Sequence, residues 1–163
     1  SVNYGGHGFA LGDKGSGAWM GLEAIKAVLM ELDGLGPHTI MTPVVKEHFN
    51  VTTAMGIAEQ MAGQPSSSYA KLARYVFDAA HQGDQIALAI VKDGAQYVSQ
   101  LAHRLLENNP PRLSMIGGLA EPLNQWLDPA IAKLVEVPKQ PPEMGAIYFA
   151  QQSVLEQDQK VAL

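Results

Sequence analysis

The sequence predicts a helix-rich α/β fold with few strands, and three observations carry that expectation. Between residues 18 and 108, apolar side chains recur at three- and four-residue intervals, broken by glycine, proline and capping residues. Two short apolar runs, "RLSMIGG" and "LVEV", follow the prolines of "NNPP" and have the length of buried strands. Seven glycines crowd residues 5–21, "GGHGFALGDKGSGAWMG", ahead of the helical pattern.

Each element has a local reason. Residues 18–33 form an amphipathic helix through Trp19, Leu22, Ile25, Leu29 and Leu32, capped by Ser16 and ended by Gly34, Gly36 and Pro37. Thr42 and Pro43 open a second helix through Phe49, because proline is tolerated in a first turn. Thr52 or Thr53 caps a third, ending near Gly63. Ser66, Ser67 and Ser68 offer caps for a helix over 69–82, which Gly83 breaks. Asp84 caps the longest helix, expected to about Asn108, with Ile86, Ile90, Gly94, Val98, Leu101 and Leu105 as its buried face. Beyond "NNPP" come a strand over "RLSMIGG", a helix over 121–127, a strand over 134–137, the loop "PKQPP" and a final helix over 143–157. Residues 4–11 read either as a strand pair bent at glycines or as a loop. The methionines, at helical spacing, read as core filler.

Composition bounds the function. The 163 residues suit one domain; 47% are apolar and 17% charged, which is globular rather than disordered. A net charge of -5 argues against nucleic acid and acidic membrane surfaces as partners, since phosphates would be repelled. No apolar run reaches the roughly 18 residues of a membrane span. The opening "SVNYGGHG" is not a signal peptide, and the expected compartment is the cytoplasm. Cysteine is absent, which removes thiolate metal sites and iron–sulfur clusters. The five histidines form no i, i+4 pair, so no metal site is expected. Ser1 is no initiator, and the chain is expected to be part of a longer protein.

Three stretches could carry chemistry. In "GGHGFALGDKGSG" the glycines serve either turn geometry or close approach of backbone to a ligand. Asp13, between two glycines, could accept charge-assisted hydrogen bonds from hydroxyls, although Asp-Lys-Gly is also ordinary turn chemistry. "MIGGLAEPL" places amides at a strand–helix turn, either as a tight turn or as a place where a phosphate or adenosine lies close. "FDAAHQGDQIA" gathers small residues at a helix junction, where close packing is the simpler account. Neither a dinucleotide fingerprint nor a P-loop is present, and there is no Gly-x-Ser-x-Gly elbow.

In this order, "GGHGFALGDKGSGAWMG", "AAHQGD", "SMIGGLAEPL" and "PPEMGAIYFA" resemble the C-terminal lobe of the amino-sugar kinases. These are the N-acetylglucosamine and glucosamine kinases of the BadF/BadG/BcrA/BcrD ATPase group, with the actin-like, ribonuclease-H-like fold. The resemblance implies that residues 1–163 are one lobe, lacking an N-terminal lobe. It implies ATP and an amino sugar as ligands, with Mg2+ held mainly by the other lobe and a homodimer as a compatible assembly. It implies sugar contacts from Gly6, His7, Gly8 and Asp13, and places Gly117, Gly118, Ala79 and Gly145 near the nucleotide. His7 and Lys14 depart from the tryptophan and glutamate common in the family. The Asp-x-Gly-x-Thr hairpin and the general base belong to the other lobe, so no catalytic residue is expected here and residues 1–163 alone should be inactive. Within the same group, the acyl-CoA dehydratase activators need cluster-binding cysteines that this chain lacks. A sugar sensor of the same fold is the alternative from another class.

Overall fold

Ser16 starts the helical part of the chain: its Oγ accepts the Trp19 backbone N–H at 3.1 Å, the N-cap of α1 (Gly17–Leu32). The computed structural model describes residues 2–9, 11–141, 143–145 and 147–151. α1 ends at Asp33 with Gly34 at φ +72°, and α2 (Met41–Phe49) carries Thr42 and Pro43 in its first turn, as the sequence implies. Thr53 caps α3 (Ala54–Met61), accepting from the Gly56 N–H at 3.1 Å.

The helix expected over 69–82 is two helices, α4 (Ser66–Ala70) and α5 (Ala73–His81). Ser66, Ser67 and Ser68 lie inside α4, whose N-cap position is Pro65. Lys71 and Leu72 keep near-helical dihedrals, but the bonds tighten to three-residue spacing (Leu72 N–H to Tyr69, Tyr75 N–H to Leu72). That break turns Leu72 fully into the core.

Asp84 caps α6 (Gln85–Leu106), accepting the Ala87 N–H at 2.8 Å. Its deepest positions are Ala87, Val91, Ala95, Ser99 and Ala102 with Ile90 and Gly94; Ile86, Val98, Leu101 and Leu105 are only half-buried. The buried face is therefore rotated from the expected one, because α1 and α5 press on α6 closely enough to select small residues. α7 (Ala120–Asn124) is shorter than expected, and α8 (Pro129–Ala132) was not anticipated. Its signal is Asp128 before Pro129: the carboxylate accepts the Ala130 N–H at 2.8 Å and proline fills the first turn. Residues 143–145 and 147–151 are helical; the rest of the helix expected over 143–157 lies outside the described residues.

The small sheet reduces, among the described residues, to one parallel bridge between Leu113 and Val135. It joins the two segments read as strands, with the Glu136 N–H donating to the Leu113 carbonyl at 2.8 Å and Arg112 paired with Glu136 at 3.0 Å. Among the described residues neither segment pairs with a further strand, and Ile116, Leu134 and Val137 are exposed. A parallel pair without flanking strands and covered faces does not propagate into a ladder. Residues 2–9 form no strand; Gly5, Gly6 and Gly8 take positive φ, and the Leu11 and Gly12 N–H groups turn back onto the Gly8 carbonyl.

One core joins the helices: Met20, Ala24 and Val28 from α1, Met41 and Val45 from α2, Ile57 from α3, Val76 from α5, Val91 from α6, then Leu123 and Ile131. Each large apolar side chain so buried contributes about 1.5–3 kcal/mol. Met20, Met41 and Met61 are core filler as expected, whereas Met30 and Met55 are exposed.

Candidate functional site

The glycine-rich opening is fixed at its C-terminal end by the start of α1. Asp13 is its hinge: its carbonyl accepts the Ser16 N–H at 2.9 Å, and its Oδ1 accepts the Gly8 N–H at 3.2 Å. The carboxylate thus ties the two halves of the loop while lining a cleft of about 440 Å³. One wall of that cleft is Gly6 and residues 12–17, a second is Tyr97, Val98 and Leu101 of α6, and a third is residues 115–120 with Leu123. Lys14 does not add free charge beside Asp13, because its Nζ pairs with Asp93 of α6 at 2.7 Å.

The loop reaches α6 through backbone. Gly15 has φ +83°, and a Cβ there would stand 2.9 Å from the Gly94 carbonyl oxygen. Gly117, at φ +107°, turns the chain after the Leu113 bridge, and neither Gly117 nor Gly118 has an atom within 4 Å of a would-be Cβ. The main chain of that turn is open to the cleft.

A second cleft of about 770 Å³ adjoins the first, sharing Gly17, Gly118 and Leu119. Its other lining comes from His48 of α2, the α4–α5 break and α5 (Ala70, Lys71, Ala73, Arg74, Phe77, Asp78, His81) and Pro122 of α7. His48 is held below the ordinary imidazole range, first by burial and then by the charges of Arg74 and Lys71.

Of the residues singled out in the sequence, Gly6, Asp13, Gly117 and Gly118 line the same cleft. Gly8 bonds Asp13, and His7 is exposed with its ring folded against Gly12. Ala79 is buried and faces a separate cavity of about 270 Å³ with Ile40, Met41, Val44, Tyr75, Asp78 and Gln82. Gly145 is exposed and is part of none of these walls. Sequence reasoning missed Tyr97 and Leu101, whose i, i+4 spacing on α6 was a usable signal, and Lys71 and Arg74, whose i, i+3 spacing was another.

A glycine loop and a two-glycine turn face each other across the smaller cleft, and main chain forms much of both walls. The chain belongs to the BadF/BadG/BcrA/BcrD ATPase family, which matches residues 1–150. Glucosamine kinase GspK of Vibrio cholerae is 32% identical over 146 residues, covering 90% of this chain and 49% of that protein. N-acetyl-D-glucosamine kinase of Dictyostelium discoideum is 31% identical over 106 residues, covering 63% of this chain and 33% of that protein. A crystal structure of a Chromobacterium violaceum protein assigned as an N-acetylglucosamine kinase superposes with a TM-score of 0.80 at 27% identity, over 88% of this chain and 50% of the other. The chain spans about half the length of the first two kinds of relative it matches, the Vibrio enzyme and the solved structure. No helix among the described residues is long and apolar enough to cross a membrane.

Proposed function

We propose that this chain is the C-terminal, actin-like lobe of an ATP-dependent amino-sugar kinase acting on glucosamine or N-acetylglucosamine. The observation that carries the reading is the convergence of Asp13 with Gly117 and Gly118 on one cleft, from positions about a hundred residues apart. The names of the relatives, glucosamine kinase and N-acetyl-D-glucosamine kinase, support the same substrate class.

In this reading Asp13 binds rather than abstracts a proton. Its Oδ1 is oriented by the Gly8 N–H, and the carboxylate accepts hydrogen bonds from sugar hydroxyls beside the bare backbone of Gly6. The open main chain at Gly118, where a Cβ would meet nothing, fits a nucleotide running from the smaller cleft into the larger. Ala79 and Gly145 are then outside the nucleotide's direct contacts, and His7 reaches the sugar only if the loop moves. Mg2+ is assigned mainly to the other lobe on the family resemblance. Phosphoryl transfer depends mainly on positioning and electrostatics, and this lobe supplies the positioning. The compartment implied by ATP as co-substrate is the cytoplasm.

The test is calorimetric titration of the full-length protein with glucosamine, N-acetylglucosamine and ATP, alongside a phosphorylation assay. Binding of an amino sugar and ATP with sugar phosphorylation supports the reading; sugar binding without phosphorylation favours a sensor. Residues 1–163 alone should show no phosphorylation.

A further inference from the structure

Asp13 and Lys14 are neighbours in the glycine loop and both line the smaller cleft, yet their side chains have different partners. Asp13 accepts the Gly8 N–H within the loop at 3.2 Å, whereas the Lys14 Nζ leaves the loop for Asp93 on α6 at 2.7 Å. The same ammonium lies 5.7 Å from the centroid of the Trp19 ring on α1. That ring is packed on α6 in turn, since a Cβ at Gly94 would stand 3.2 Å from its Cζ3. Lys14 therefore joins the loop, α1 and α6 where Gly15 meets the Gly94 carbonyl oxygen.

The rest of the loop is less firmly held. Residues 2–9 form no helix or strand, and a Cβ at Gly6 or Gly8 would meet nothing within 4 Å. Phe9 lies against Tyr69 of α4, ring centroids 5.0 Å apart, and the Tyr4 ring lies 5.5 Å from the Arg104 guanidinium. Both contacts are farther along the chain from Asp13 than the Lys14–Asp93 pair, the loop's one ion pair among the described residues. With side chains 38% and 52% exposed, that pair adds little to global stability. A glycine-rich loop has many accessible conformations, however, and one restraint beside the ligand removes many of them. Affinity for a ligand rises with the fraction of molecules already in the arrangement that binds it.

We propose that Lys14 and Asp93 are positioning residues for the amino sugar: their ion pair holds the glycine loop on α6, so that the Asp13 carboxylate faces the cleft before the sugar arrives. Both act through Asp13 rather than on the sugar, and Asp93 lines neither cleft. This rests on the reading of Asp13 as a sugar ligand and adds what sets its place.

The experiment is calorimetric titration of the full-length protein with N-acetylglucosamine at low and high salt, paired with steady-state kinetics. It compares wild type with Lys14→Met, Asp93→Asn, the double variant Lys14→Met/Asp93→Asn, and Lys14→Arg. Each single loss of charge should weaken sugar binding about two- to fivefold, the reach of an exposed ion pair. The double variant should be no weaker than either single one, because one shared interaction is lost in all three. N-acetylglucosamine is uncharged, so salt acts on its affinity through the protein's own charges. Wild-type affinity should fall with salt, and that dependence should flatten in Lys14→Met and Asp93→Asn. The sugar KM should rise while kcat holds, since saturating sugar repopulates the positioned loop. Lys14→Arg should keep most of the affinity. Unchanged sugar affinity in both single variants overturns the inference and leaves the kinase reading standing. A Lys14→Met loss that persists in full in the Asp93→Asn background also overturns it, because the lysine would then touch the sugar itself. A wild-type protein that binds no amino sugar sinks both.

Discussion

Gly15 and Gly94 meet backbone to backbone: a Cβ on the first would lie 2.9 Å from the carbonyl oxygen of the second, and a Cβ on Gly94 3.1 Å from the Gly15 Cα. Gly15 also sits at φ +83°, a conformation that costs an L-residue about 1–2 kcal/mol. Gly34 shares the positive φ, at +72°, without any atom in reach. Gly15→Ala should therefore destabilise more than Gly34→Ala, by about 1–3 kcal/mol for the added overpacking. Thermal melts of the two variants measure the difference, and equal melting temperatures would show that the contact carries no energy.

Asp13→Ala should raise the amino-sugar KM about tenfold or more, the loss expected for hydrogen bonds to a charged group. The ATP KM should change less than the sugar KM, because Asp13 does not line the larger cleft into which the nucleotide extends. Steady-state kinetics with each substrate varied in turn separates the two. An unaltered sugar KM removes Asp13 from the site.

Gly118→Ala offers the complementary case. A Cβ there meets nothing within 4 Å, so stability should hold within about 0.5 kcal/mol. If the nucleotide passes close to that backbone, the added methyl should raise the ATP KM and leave the sugar KM alone. A variant with wild-type kinetics for both substrates places the nucleotide elsewhere.

Acid should loosen the segment between α1 and α2. Burial pushes the Glu31 carboxyl up, but hydrogen bonds from Thr42, the Thr39 N–H and His38 outweigh it and hold the group below its ordinary range. Asp84 behaves alike: burial raises it, while bonds from the Ala87 and Ile40 N–H groups and from Thr39 lower it. Depressed folded-state values mean that this stabilisation is complete above the ordinary carboxylate range and is lost as pH falls through and below it. Asp84→Ala should cost about 1–2 kcal/mol at neutral pH from the lost cap, and should flatten the acid limb. Denaturant melts from neutral pH down to acid check both; an acid limb identical to wild type would assign the sensitivity to other groups.

Helix positions were legible where a side chain announces a boundary. Ser16, Thr53 and Asp84 each cap the helix they were expected to cap, because the hydrogen bond is local to three residues. The break at Lys71 and Leu72 was not legible: its dihedrals are nearly helical, and what fixes it is tertiary, the burial of Leu72. The face of α6 was misjudged for a similar reason. Large side chains such as Val98 and Leu101 look like core in a sequence, yet close approach of α1 and α5 reserves the deepest line for Ala87, Ala95 and Ala102. At the site, the backbone turns around Asp13 and Gly117 showed in the sequence because glycine records them. The meeting of Lys71 and Arg74 with His48 did not, since His48 comes from α2 and the other two from the α4–α5 side, a juxtaposition that no local pattern encodes.

Helices α1 and α4 cross with Gly21 so near the Tyr69 carbonyl oxygen that a Cβ at position 21 would stand 1.9 Å from it. Sequence drift around the clefts is thereby partitioned: Gly21 admits no replacement without prying two helices apart, while Gly6, with open space around it, is constrained by its dihedral alone. A saturation library scored for folding would leave position 21 a single-letter column.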